Sequence, residues 1–184
     1  MALCVSEAPK MCCPSGILDG LPENGAWWVA HVKSRREKAL AAQLAAADVG
    51  YFLPLAKRVT SRRGRKCRAI VPLFPGYLFF AGDSDDRYRV LATNHVARVL
   101  DVADQEELVN ELSQLRLVLG KELHVDPYPF AMPGRRVRVV GGPLMGLEGT
   151  VLRRKGRERL VLRVSFIRQS AMLQIDGFQV EPID

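Results

Sequence analysis

Cysteine is scarce in this sequence: there are four in 184 residues, at Cys4, Cys12, Cys13 and Cys67. No two form a C-x-x-C pair and no histidine lies at ligand spacing from them, which argues against a zinc site. Three of the four crowd the amino terminus. They do not frame a disulfide-stapled fold, and a reducing cytoplasm is the expected compartment. Uncharged apolar runs of about eighteen residues or more are missing, so nothing is expected to span a membrane. The amino terminus also lacks a basic segment followed by a long apolar one, the form of a secretory signal. There is no glycine loop of the P-loop or dinucleotide kind. The three histidines, His31, His95 and His124, have no acid or cysteine partner recognisable in sequence, and no nucleophile stands out. These absences argue against an enzyme, and neither cofactor nor metal is expected.

Acid is missing from one long stretch. From Val49 to Gly82 there is no Asp or Glu, while Lys57, Arg58, Arg62, Arg63, Arg65, Lys66 and Arg68 lie within it. Those seven cations equal the net charge of the whole chain, +7. Excess base of this kind suggests an acidic partner such as nucleic acid. Five of the cations, Arg62 to Arg68, crowd one hairpin tip, where phosphate contacts would release condensed counterions. Arg62, Arg63, Arg65 and Lys66 are therefore candidate nucleic-acid contacts. The other reading is a hairpin kept charged so that its edges do not pair with another chain. Asp104, Glu106, Glu107, Glu111, Glu122 and Asp126 make the following helical region acidic, a face that nucleic acid should avoid. Arg153, Arg154, Lys155 and Arg157 make a later loop basic again.

The chain is 48% hydrophobic and 26% charged, an ordinary globular balance for one medium domain or two small ones. Residues 1–24 have no period and read as a mobile leader. Ala26 to Lys33 reads as a strand. Ser34 and Glu37 have the spacing of a capping box, opening a helix with Leu40, Leu44 and Ala47 on one face. A strand follows from Tyr51 to about Val59, then a turn, then a strand from Cys67 to Val71. Pro72 and Pro75 break it before Gly76 to Phe80 resumes the sheet. Asp83, Asp85 and Asp86 open a short helix, Val96 to Val102 is a strand, and Asp104 opens a helix with Leu108, Leu112, Leu115 and Leu119 on one face. The order β-α-β-β-α-β-α suits an α+β fold, an antiparallel sheet with helices on one face. Residues 124–132, with Pro127 and Pro129, read as a linker. Beyond them five short strands (136–140, 149–152, 160–166, 171–175 and 178–180) with glycine turns suggest a small barrel. The expected division is a leader 1–24, a domain 25–123, a linker 124–132 and a domain 133–184.

Four stretches carry a resemblance. "PGRRVRVVGGPLMGLEGTVLRR", residues 133–154, resembles a KOW motif, and "VSFIRQSAMLQIDGFQVEPI" looks like the closing strands of the same barrel. "WWVAHVKSRREKALAAQL" and "PLFPGYLFF" resemble the N-terminal (NGN) domain of the NusG family of transcription elongation factors. The resemblance covers residues 26–184. It implies an NGN-type antiparallel sheet with flanking helices, followed by a small C-terminal SH3-like β-barrel of KOW type.

The function it implies is transcription elongation or antitermination. In that family the N-terminal domain docks on the clamp helices of the RNA polymerase β′ subunit, and the KOW domain recruits the ribosome small subunit or the termination factor Rho. The FPGY strand would line the hydrophobic depression that receives those helices, with Tyr77 and Phe79 as anchors and Leu73 and Phe74 beside them. Alternation puts Tyr77 and Phe79 on one face and Leu78 and Phe80 on the other; the alternative is that both faces are core. The stretch looks closer to the specialised RfaH-like branch, in which polar residues read the displaced non-template DNA strand. The matching positions are Lys33, Gln43, Thr93 and Asn94. Gln43 and Asn94 depart from the histidine and arginine of that branch, and Thr93-Asn94 reads equally well as a helix C-terminus. KOW partner contacts map to Leu144, Leu147, Phe166 and Ile167. Valines 137, 139, 151, 161 and 164 favour a permanent barrel over the helical refolding of that branch. Two other readings stay open: a Rho-recruiting terminator of the same family, and a ribosome-associated RNA-binding KOW protein. A monomer is expected, with no membrane partner.

Overall fold

The structure, a computed structural model, describes residues 9–22, 25–62, 65–121, 123–128, 134–154, 157–175 and 178–183. In chain order the elements are β1 (Cys12–Cys13), β2 (Ala26–Val32), α1 (Glu37–Ala46), β3 (Gly50–Phe52), β4 (Leu55–Arg62), β5 (Arg65–Pro72), β6 (Tyr77–Gly82), α2 (Ser84–Ala92), β7 (Val96–Asp101), α3 (Gln105–Gly120), β8 (Val125–Tyr128), β9 (Arg135–Val139), β10 (Glu148–Arg154), β11 (Arg157–Val164), β12 (Gln169–Gln174) and β13 (Val180–Pro182). They fall into two compact units, 1–55 with 74–105, and 56–73 with 106–184.

The first unit is a five-stranded antiparallel sheet in the order β1-β3-β6-β2-β7. Cross-strand register sets its two faces, because directly paired residues point the same way. Trp28 faces Phe80 and Ala30 faces Leu78. On that side Ala30, Val32, Leu78 and Phe80 form a core with Leu40, Ala41 and Leu44 of α1 and Val90 of α2. Trp28 stacks on Phe80 with ring centroids 5.4 Å apart, an offset arrangement that adds to the area both rings bury.

The two helices begin differently. Asp83 accepts hydrogen bonds from the N–H groups of Asp85 and Asp86, and Asp86 accepts from the N–H of Asp83, so α2 has the full capping box. The acidic start expected from sequence is there. The capping box expected at Ser34 and Glu37 is not: α1 starts at Glu37, behind Arg36 as N-cap with no side-chain bond. The reason is a tight turn, in which Arg36 N–H donates to Lys33 O and Arg35 takes a left-handed φ of 60°. Ser34 is used in that turn, two residues ahead of the N-cap position.

Two further expectations differ from the structure. The stretch read as a mobile leader contributes β1, which pairs with β3. Leu53 N–H donates to Met11 O, Tyr51 Oη donates to Lys10 O at 3.0 Å, and Leu18 is buried. Its missing period misled because two paired residues are too few to show one. The strand expected from Tyr51 to Val59 is two strands, β3 and β4, parted at Pro54, which has no N–H to give a ladder.

The second unit holds the two-stranded β4–β5 sheet, α3, and a six-stranded antiparallel sheet in the order β13-β9-β10-β11-β12-β8. The five expected strands are present as β9 to β13. The sixth, β8, lies in the stretch read as a linker; Pro127 pairs with Ala171. β8 ends the strand order, and an edge is where a sheet tolerates proline. Val137, Val139, Leu160, Leu162, Val164 and Leu173 are buried. The leucine stripe of α3 holds at Leu108, Leu112 and Leu115. The compact units part at Gln105 and Glu106, so α3 groups with the C-terminal sheet, whereas the expected boundary lay after residue 123. Helical periodicity says that α3 has an apolar face, not which sheet covers it.

Candidate protein- and nucleic-acid-binding surfaces

The FPGY stretch enters β6 through a turn closed by Tyr77 N–H donating to Phe74 O. Gly76 has φ +86°, a left-handed value that side chains with a Cβ rarely adopt. Its N–H donates to Glu37 Oε1 at 2.8 Å. Glu37 is only 6% exposed, so the first residue of α1 fixes the turn rather than capping its own helix. A hydrogen bond to a carboxylate is stronger than one between neutral groups. The sequence pointed to Glu37 as a cap; its actual partner lies 39 residues away and is invisible to local pattern.

Of the four polymerase-contact candidates, Leu73 and Phe74 are 1% exposed and Phe79 is 0% exposed; Tyr77 alone is half-buried. Phe79 lies 6.4 Å from Phe52, ring to ring. Register puts Tyr77 and Phe79 on one face, opposite His31 and Val29. The His31 and Tyr77 rings lie 5.5 Å apart. Leu73, Phe74 and Phe79 are thus enclosed in this structure, and Tyr77 is the reachable member of the set.

The nucleic-acid candidates meet in part. Lys33 Nζ donates to Asn94 Oδ1 at 2.7 Å, and both side chains are exposed. Asn94 has φ 59°, the left-handed residue after α2 that its sequence equally suggested. Thr93 Oγ1 is engaged locally, donating to Val90 O at 2.7 Å and accepting from His95 N–H. Gln43 is exposed on α1. Arg62, Arg65 and Lys66 lie on β4 and β5, but their side chains and the whole of Arg63 fall outside the described residues.

In the C-terminal sheet, Leu144 and Leu147 are 0% and 1% exposed and Ile167 is also buried, so three of the four KOW contact candidates are core. Phe166 is exposed, and so is Met145 of the glycine-rich loop, 71% exposed, which sequence reasoning missed. Gly142 and Gly146 both take left-handed φ, and Met145 N–H donates to Gly142 O. That turn points Leu144 and Leu147 inward and leaves Met145 out. Two left-handed glycines around Met145 were the available signal.

Between α3 and the sheet lies a cavity of about 340 Å³, lined among others by Asn110, Glu111, Gln114, Arg136, Thr150 and Arg163. Ser165 donates to Glu111 through both N–H (2.8 Å) and Oγ (2.6 Å), and Glu148 N–H donates to Gln114 Oε1 at 3.0 Å. Burial pushes the Glu111 carboxyl above its ordinary pKa, against the lowering effect of the two Ser165 bonds; Glu107 adds to the rise and Arg163 opposes it. Among the described residues no group of three or more His, Cys, Asp or Glu could hold a metal ion. No described helix is long and apolar enough to cross a membrane.

These features define a class: an α+β domain with an antiparallel sheet and flanking helices, followed by a small β domain. Residues 25–115 match the family described as "Transcription termination factor nusG". This stretch is a NusG-family domain, the mark of a factor of the transcription-elongation kind. NusG-family proteins are non-enzymatic factors that bind RNA polymerase. No curated protein matches the chain. A solved structure described as "Crystal Structure of MjSpt4:Spt5 complex conformation B" is similar at 15% identity, covering 86% of this chain and 99% of its own, with a TM-score of 0.28.

Proposed function

We propose that this chain is a cytoplasmic elongation factor that docks on the clamp helices of the RNA polymerase β′ subunit through the end of its N-terminal sheet at Tyr77. The observation that carries the reading is the half-open Tyr77 ring, held at the mouth of the FPGY turn by Gly76 and Glu37. An exposed aromatic on a rigid support is the usual form of an interface hot spot. Phe79, on the same face of β6, then backs the contact from within; it, Phe74 and Leu73 become contacts themselves only where they are uncovered.

Lys33 and Asn94, already joined at 2.7 Å, with exposed Gln43, are proposed to meet the non-template strand, whose unstacked base edges amides can read. The basic β4–β5 hairpin would add sequence-independent phosphate contacts. Met145 and Phe166 offer the C-terminal sheet its apolar contact for a recruited partner, the ribosome small subunit or Rho. Transcription in vitro on a template with a strong pause and a Rho-dependent terminator tests the reading. Antitermination predicts shorter pausing and more read-through when Rho is present. A Rho-recruiting terminator would lower read-through only in the Rho arm, and no change in either arm removes the chain from elongation.

A further inference from the structure

One row of side chains crosses three adjacent strands at the open end of the N-terminal sheet. Register pairs Tyr77 of β6 with His31 of β2, and His31 with Arg98 of β7, so ring, imidazole and guanidinium share one face. His31 and Tyr77 are half-buried and Arg98 is exposed. Gly76 borders the row: a Cβ there would sit at ordinary contact distance, 3.9 Å, from the His31 ring. The next row inward, Phe79 and Val29, is fully enclosed. The sheet face thus ends in a rim, apolar behind and polar in front.

The rim is cationic. Lys33, Arg35, Arg36 and Arg98 are exposed, and among the described residues none of the four is in an ion pair. The nearest carboxylate in sequence, Glu37, is buried and holds Gly76 N–H. Asp101, at the far end of β7, faces Arg87 instead. A guanidinium with no ion pair among the described residues, in register with His31 and two strands from Tyr77, is complementary to a carboxylate on a partner helix whose apolar side covers the rings.

We propose that the Tyr77–His31–Arg98 row is a composite docking rim, and that its occupant is a protein helix carrying an acidic side chain within an apolar face, with Arg98 receiving the acid. The proposal rests on the polymerase-docking reading above and adds a charge requirement to it. Attraction from an exposed cation at a rim acts on encounter rate and salt dependence, whereas the ring acts through burial.

The test is the affinity of the full chain for core RNA polymerase across a salt series, for wild type, Tyr77→Ala, Arg98→Ala and Arg98→Glu. Arg98 is exposed, so its variants are expected to keep the wild-type unfolding midpoint. Expected are a loss of about tenfold for Arg98→Ala, with a flatter salt dependence, and a larger loss for Arg98→Glu, where like charges meet. Tyr77→Ala is expected to weaken binding while keeping the wild-type salt slope. If wild type and Tyr77→Ala differ but both Arg98 variants bind like wild type, the rim proposal is overturned and docking survives. If wild type does not bind polymerase, both fall. If the Arg98 variants lose only binding to a single-stranded oligonucleotide, the row belongs to nucleic acid and the proposal is wrong.

Discussion

The two large sheets bury themselves in different ways. In β6 the residues Leu78 to Ala81 are all buried, with only the end residues partly open. In β9 exposed arginines alternate with buried valines: Arg136 and Arg138 face out, Val137 and Val139 face in. A strand buried on both faces is a continuous apolar run, so its sequence cannot say which aromatic is core and which is contact. A strand with one wet face separates them by period two. The same residue class therefore has different meanings in the two units. The aromatics of β6 are core except Tyr77, which sits at the strand end. A charged residue in β9 is surface by default.

That contrast can be broken in four places, in falling order of effect. Phe80→Ala removes a fully buried ring stacked on Trp28 and should cost ~3–5 kcal/mol, read as a lower urea midpoint by tryptophan fluorescence. A small change would mean that the sheet is not sealed on that side. Glu37→Leu leaves the Gly76 N–H without its acceptor and should cost ~1–3 kcal/mol, while Glu37→Gln, which keeps an acceptor oxygen, should cost less. Equal losses in the two variants would make the hydrogen bond irrelevant.

The third place is Glu111. Its folded-state pKa is raised, so the protonated carboxyl is favoured by the fold. Its contribution is fully present below the unfolded pKa and is lost as pH rises through the folded value. Glu111→Gln keeps an acceptor oxygen for the Ser165 N–H and can donate its Nε2–H to Ser165 Oγ, without the charge. It should match wild type in acid and become the more stable of the two toward neutral pH, in thermal melts run across that range. A constant difference at every pH would contradict the assignment. The smallest effect belongs to β9: Arg138 bonds Glu148 at 2.6 Å, yet it is fully exposed to solvent screening. Arg138→Ala should leave the urea midpoint unchanged within error, and a clear drop would show that the wet face is structural after all.

Much of the fold was legible because it rests on local rules. The acidic start of α2 at Asp83, the leucine stripe of α3 and the alternating valines of the C-terminal sheet all follow from local capping preference or from helical or strand period. What could not be read depends on partners far away in the chain. Glu37 has the spacing of a cap but holds Gly76 instead. β1 is two residues of a featureless leader that find an edge at β3. β8 hides a strand behind two prolines because only an edge position accepts one. The candidate sites divide along the same line. Leu144 and Leu147 look like apolar contacts until the left-handed turn at Gly142 and Gly146 turns them inward and Met145 outward. Tyr77, His31 and Arg98 lie far apart in sequence, and only register makes them neighbours.

The central claim is that a partner meets the N-terminal sheet at its open aromatic end. The most direct measurement is the affinity of purified core RNA polymerase for the full chain and for Tyr77→Ala, each first shown to unfold at the same urea concentration. Loss of the half-open ring should weaken binding by at least tenfold, the scale of an interface hot spot. Equal affinity, with both proteins folded, would contradict it.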